Sequence, residues 1–245
     1  MESETGTVPP VPATTRPHRW GLVAFVVVEA TYLVVSLAVS WAVLRLTHGR
    51  PPAPVLAVAV AVPTATAALL AVVITRLRGN GPRIDLNLRW SWRALGLGFL
   101  FGFGGLVITL PASLIYLRVM GEGATSAAGQ VFGGVRTTWI WAVAVLVLVV
   151  VVAPIFEEVI YRGLLWNAIE WRWGRWVAFA VSTVVFAAAH LELSRFPLLL
   201  VVAVPVALAR LYSGSLVASI AAHSATNLLP GLALMFSLLG LIPTG

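Results

Sequence analysis

Ionisable residues are nearly absent from long stretches of this chain. Between Trp20 and Leu46 only Glu29 and Arg45 interrupt an apolar run. Further apolar runs follow at roughly 54–74, 94–117, 138–160, 177–191, 196–211, 215–229 and 231–242. A helix of about 20 apolar residues crosses the hydrocarbon of a bilayer. The pattern therefore predicts an all-α, polytopic transmembrane helical bundle of about eight spans. The last four runs are shorter than a full crossing, and Pro230–Gly231 either separates two short helices or kinks one.

Composition agrees: the 245 residues are 60% hydrophobic and 10% charged, where a soluble domain carries about 25% charged residues. Cysteine is absent, which excludes disulfides, thiolate metal sites and a thiol nucleophile. Residues 1–19, rich in Pro, Thr and acids, read as a disordered cytoplasmic tail. The run that follows is longer than the core of a cleaved signal, so it reads as the first span. Residues 20–245 form a single transmembrane domain without repeats on this reading.

The formal charge is +7 and all sixteen basic residues are Arg. They sit mostly between apolar runs, where topology explains them and nucleic-acid binding is not called for. With the N-terminus cytoplasmic, the tail and loops 75–93, 171–176 and 210–214 hold ten Arg, including Arg210, against five on the other side. An even number of spans then places the C-terminus inside too. The stretch 75–93, with Trp90 and Trp92 among arginines, reads as an interfacial loop on anionic lipid. The Gly-rich segment 121–134 reads as a connector.

Charges inside the bilayer are costly, about 2.5–3.5 kcal/mol for a central Asp, Lys or Arg, and therefore mark paired or functional positions. Six ionisable residues lie in or beside the runs: Glu29, Glu157, Glu158, Arg162, His190 and His223. Glu158 and Arg162 are four apart, neighbours on one helical face, with the acid on the favourable N-terminal side. Glu157 points about 100° away and has no partner near it in sequence, as befits a general base. Pro154 loosens the helix just upstream. Phe186-Ala-Ala-Ala-His190 forms a second element, and His223-Ser-Ala-Thr-Asn227 sets an imidazole and an amide on one face as a third. Glu29 stands alone in the first span and receives no catalytic assignment.

These three elements resemble, in order, the Glu-Glu-x-x-x-Arg, Phe-x-x-x-His and His-x-x-x-Asn motifs of the CAAX prenyl protease and bacteriocin-processing family. These are intramembrane peptidases related to the type II CAAX prenyl endopeptidase. The resemblance covers about residues 139–230. It implies peptide-bond hydrolysis at the bilayer, with Glu157 activating a water held with His190. On the same resemblance His223 and Asn227 stabilise the oxyanion, while Glu158 and Arg162 form a supporting pair. Members of the family have been described as metalloproteases, which would make Glu157, His190 and His223 a zinc set. No His-Glu-x-x-His helix is present and Asn227 suits an oxyanion role, so no cofactor is the favoured reading.

The expected partners are the lipid bilayer and a peptide or membrane-protein substrate. Arg in place of Lys, with heavy Ala, Val, Gly and Leu usage, points to a bacterial plasma membrane. Prenylated substrates are not expected there. Two other classes fit buried charges: an ion-coupled transporter and a non-catalytic membrane partner acting in immunity or sorting.

Overall fold

The protein is described by a computed structural model covering residues 19–121 and 127–242. The predicted tail lies, apart from Arg19, outside the described residues. The described chain is all helical, without strands. The long helices are α1 (Leu22–Leu46), α2 (Ala53–Arg78), α4 (Trp92–Met120), α6 (Trp139–Trp173), α8 (Phe196–Ser213) and α9 (Leu216–Leu238). Three shorter ones intervene: α3 (Pro82–Asp85), α5 (Ala127–Phe132) and α7 (Arg175–Ala189).

Local chemistry sets the boundaries. The Ser91 hydroxyl accepts from the Ala94 N–H at 3.0 Å to begin α4, a serine N-cap. Ser215 begins α9 in the same way, accepting from Val217 N–H at 3.2 Å, while its own hydroxyl donates to the Arg89 carbonyl at 2.6 Å. Gly174 (φ 82) turns α6 back into α7, and Gly214 (φ 67) ends α8 in the left-handed region that glycine occupies without penalty.

Six helices are long and apolar enough to cross a membrane, and α7, with 15 residues, is a shorter apolar helix. The last two runs form one continuous helix, α9, which passes through Pro230. Gly231 there lies against Val150 and Leu146 of α6, so the Pro-Gly pair marks a close approach of two helices and no break.

The ends of the bundle are tied separately. At one end Arg19 N–H donates to the Arg78 carbonyl at 3.0 Å, Leu216 N–H donates to the Asn87 carbonyl at 3.0 Å, and Trp20 packs edge-on against Trp171 at 4.6 Å. The Arg-rich loops 75–93 and 171–176 gather here. At the other end Thr137 N–H meets the Leu238 carbonyl at 3.0 Å and Arg136 reaches the Ser237 carbonyl. The C-terminus of α9 thus lies at the opposite end of the bundle from the N-terminus of α1.

Glycines allow the tight packing of α4. A Cβ on Gly98 would lie 2.5 Å from the Ala218 carbonyl oxygen, and one on Gly102 would lie 2.6 Å from Ala225 Cβ. A Cβ on Gly105 would meet the Pro205 ring of α8 at 2.6 Å. Small residues at such spacing let backbones approach where lipid supplies no hydrophobic drive. This packing seats α9, which carries two of the motif residues, and the main apolar core surrounds the middle of α6 at Tyr161, Leu164, Leu165 and Trp166.

Candidate active site

The site begins with irregularities in α6. The helix widens into π-turns at Leu148–Val152 and again at Val159–Leu165; such turns insert rarely and often at functional sites. The first follows from Pro154. Ala153 N–H reaches back to the Leu148 carbonyl, and the residue five beyond Val149 is Pro154, which has no N–H to give. The Val149 carbonyl instead accepts from Asn227 Nδ2 of α9 at 3.1 Å. The third motif is thus bound to the backbone just before the first.

Between the two wide turns lie the carboxylates. Glu158 is completely buried, and its Oε1 accepts from Arg162 Nη1 at 3.0 Å, the pair expected from the four-residue spacing. The same oxygen is 3.0 Å from His223 Nδ1. A carboxylate oxygen already paired with Arg162 acts as an acceptor, so this network assigns the proton to Nδ1. His223 Nε2 is then turned toward Glu157, whose Oε2 lies 3.8 Å away. That is a close approach and longer than a hydrogen bond. Glu157 keeps about a quarter of its side chain accessible, 23%, while Glu158 has none.

His190 terminates α7. Its Nδ1 lies 2.8 Å from the Phe186 carbonyl, which can only accept, so the proton again resides on Nδ1 and Nε2 is left for other chemistry. The two histidines meet at one ring: Phe186 packs edge-on against His190 at 4.8 Å and against His223 at 5.5 Å. The Arg162 guanidinium sits 4.2 Å from that ring's centre, a cation–π contact that helps hold a buried charge. Phe186, noticed in the sequence only as a motif letter, is the packing centre of the site.

The structure therefore brings Glu157, Glu158, Arg162 and His223 into direct contact, adds His190 through Phe186, and fixes Asn227 on the adjoining turn of α6. It also gives Glu29 company that sequence did not reveal. Tyr161 of α6 lies within electrostatic reach of Glu29, and Tyr32 and Tyr161 lie within reach of Glu157. Arg210, counted as a loop residue, is buried at 2% exposure beneath α6. Among the described residues no three His, Asp or Glu side chains converge as ligands.

Comparison with known proteins places these residues in context. Residues 139–229 match a family model described as type II CAAX prenyl endopeptidase Rce1-like. All three motifs fall inside the matched segment. No curated protein and no solved structure matches the chain.

Proposed function

We propose, from the premise that residues 139–229 form an Rce1-like peptidase domain, that this protein is a glutamate-type intramembrane endopeptidase. The observation that carries the reading is the orientation of His223. Its Nδ1 is held by buried Glu158 and its Nε2 faces accessible Glu157. A carboxylate behind an imidazole fixes the tautomer and supports the imidazolium form, as in other hydrolytic sites.

In the proposed reaction Glu157 removes a proton from a water that also donates to His190 Nε2. The water oxygen attacks the carbonyl carbon of the scissile peptide bond, and the carbonyl π electrons move onto oxygen. His223, carrying protons on both nitrogens and backed by Glu158, donates through Nε2 to that oxyanion. The second amide hydrogen of Asn227, not used on Val149, joins it. Collapse of the intermediate breaks the C–N bond, and Glu157 hands its proton to the leaving amine. General-base and oxyanion contributions of this kind are each worth roughly 10²–10⁴ and 10²–10³ in rate.

The arginine distribution supports a cytoplasmic N-terminus, and composition supports a bacterial plasma membrane. The substrate is then a membrane-associated peptide or membrane protein. The test compares new peptide termini in membrane and secreted fractions of cells expressing wild type or Glu157→Gln at equal levels. Termini that disappear with Glu157→Gln identify the substrates. Identical termini across growth conditions would overturn the peptidase reading in favour of a catalytically silent membrane partner.

A further inference from the structure

One buried polar network lies outside the three motifs, on the turn of α6 that follows Glu158. The π-turn Val159–Leu165 presents two consecutive carbonyls, of Arg162 and Gly163, to side-chain donors. Arg210 of α8 donates from Nε to the Arg162 carbonyl at 3.1 Å. Asn167 donates from Nδ2 to the Gly163 carbonyl at 2.7 Å and to the Asp85 carbonyl at 2.9 Å. The Asn167 Oδ1 in turn accepts from Arg210 Nη2 at 3.2 Å and from Asn87 Nδ2 at 3.0 Å. Both amide hydrogens and the amide oxygen of Asn167 are thus engaged, at 1% exposure.

Arg210 is held from its other face as well. Its guanidinium carbon is 5.3 Å from the Trp166 ring centre, and Trp166 Nε1 donates to Glu170 at 2.9 Å. Burying an arginine at 2% exposure is costly. Here it holds the backbone of Arg162, whose side chain shares the Glu158 oxygen with His223.

We infer that Arg210, acting with Asn167, is a positioning residue of the active site. It clamps the wide turn so that the Arg162 guanidinium stands against Glu158, and Glu158 in turn orients His223. This rests on the peptidase reading for its catalytic consequence but not for its structural one. A fork is needed: Nε and Nη2 serve different acceptors while the guanidinium lies over Trp166, which a lysine ammonium does not reproduce.

The test uses the full chain in micelles, comparing wild type, Arg210→Gln, Arg210→Lys and Asn167→Ala. Ser91→Ala is the control, because it removes the N-cap of α4 at the same end of the bundle without touching a residue of the clamp. Turnover is read with a quenched peptide carrying a cleavage site mapped from the new termini. The imidazole nitrogens of His223 are read by ¹⁵N resonance, assigned with a His223→Gln sample. Arg210→Gln and Asn167→Ala should lower kcat about ten- to a hundredfold at unchanged KM, as for roughly ångström-scale misplacement, and should move the His223 resonance. Arg210→Lys should not rescue, and Ser91→Ala should lower thermal stability while moving neither. Loss of turnover with an unmoved His223 resonance, or full activity of Arg210→Lys, would overturn the inference. If wild type cleaves nothing, the peptidase reading falls, and the His223 resonance alone still decides whether Arg210 positions the pair. If Arg210→Gln does not accumulate, Arg210→Lys and Asn167→Ala decide it.

Discussion

Replacing Gly102 with alanine tests whether the seat of α9 governs the site. An added Cβ would lie 2.6 Å from Ala225 Cβ, 2.7 Å from the Ala222 carbonyl oxygen and 3.0 Å from Ala222 Cα. Ordinary contact begins at 3.4 Å, so the difference of 3.4 and 2.6 Å asks α4 and α9 to part by about 0.8 Å. Two of the three obstructing atoms are backbone and have no rotamer to yield. Overpacking of this kind costs about 1–3 kcal/mol. Because α9 carries His223 and Asn227, a shift near 1 Å should also lower turnover by about 10²-fold. Gly104, two residues on, has nothing within 4 Å of an added Cβ; alanine there should be neutral or gain about 0.5–1 kcal/mol from helix propensity. Ala225→Gly in the Gly102→Ala background should restore only part of the loss, since the Ala222 carbonyl remains. The assay is thermal unfolding in micelles beside turnover of the mapped peptide. Wild-type stability and activity in Gly102→Ala, or equal damage from Gly104→Ala, would refute the argument.

Glu158→Ala leaves Arg162 buried without its carboxylate and should cost about 3–5 kcal/mol, measured by thermal unfolding. Pairing it with Arg162→Met should recover much of the stability but no turnover, because His223 remains unanchored. Asn227→Ala strands the Val149 carbonyl, at about 1–3 kcal/mol, and removes the proposed oxyanion donor, at about 10²–10³ in kcat. A fall in melting temperature with unchanged kcat would confine Asn227 to capping α6.

What sequence could disclose follows the range of the interaction. The Glu158–Arg162 pair is written in a four-residue spacing and stands at 3.0 Å in the structure. The clustering of the three motifs on one site was legible through their resemblance to a family. The bond from His223 to Glu158 joins residues 65 apart, and no local period encodes it. Glu29 looked solitary because Tyr161 lies on another helix. Arg210 stood at the end of an apolar run, where arginine ordinarily marks a loop; only the fold shows it turned inward onto Arg162. Two further signals lie in the sequence. The spacing of Gly98, Gly102 and Gly105 is that of close helix packing. Pro230 suggests a divider or a kink, yet neighbouring helices make proline tolerable inside a span.

The brevity of α7 bears on where water comes from. Its 15 residues rise only about 22 Å, against a hydrocarbon thickness of about 30 Å. A span shorter than its bilayer is accommodated by local thinning and by drawing polar surroundings inward. In this protein α7 stops at His190, where the chain turns back into α8. Hydrophobic mismatch would therefore dimple the membrane at the site itself. On the proposed peptidase reading, hydrolysis consumes one water for every bond cut, and a helix that stops short of the bilayer thickness is a means of delivering it.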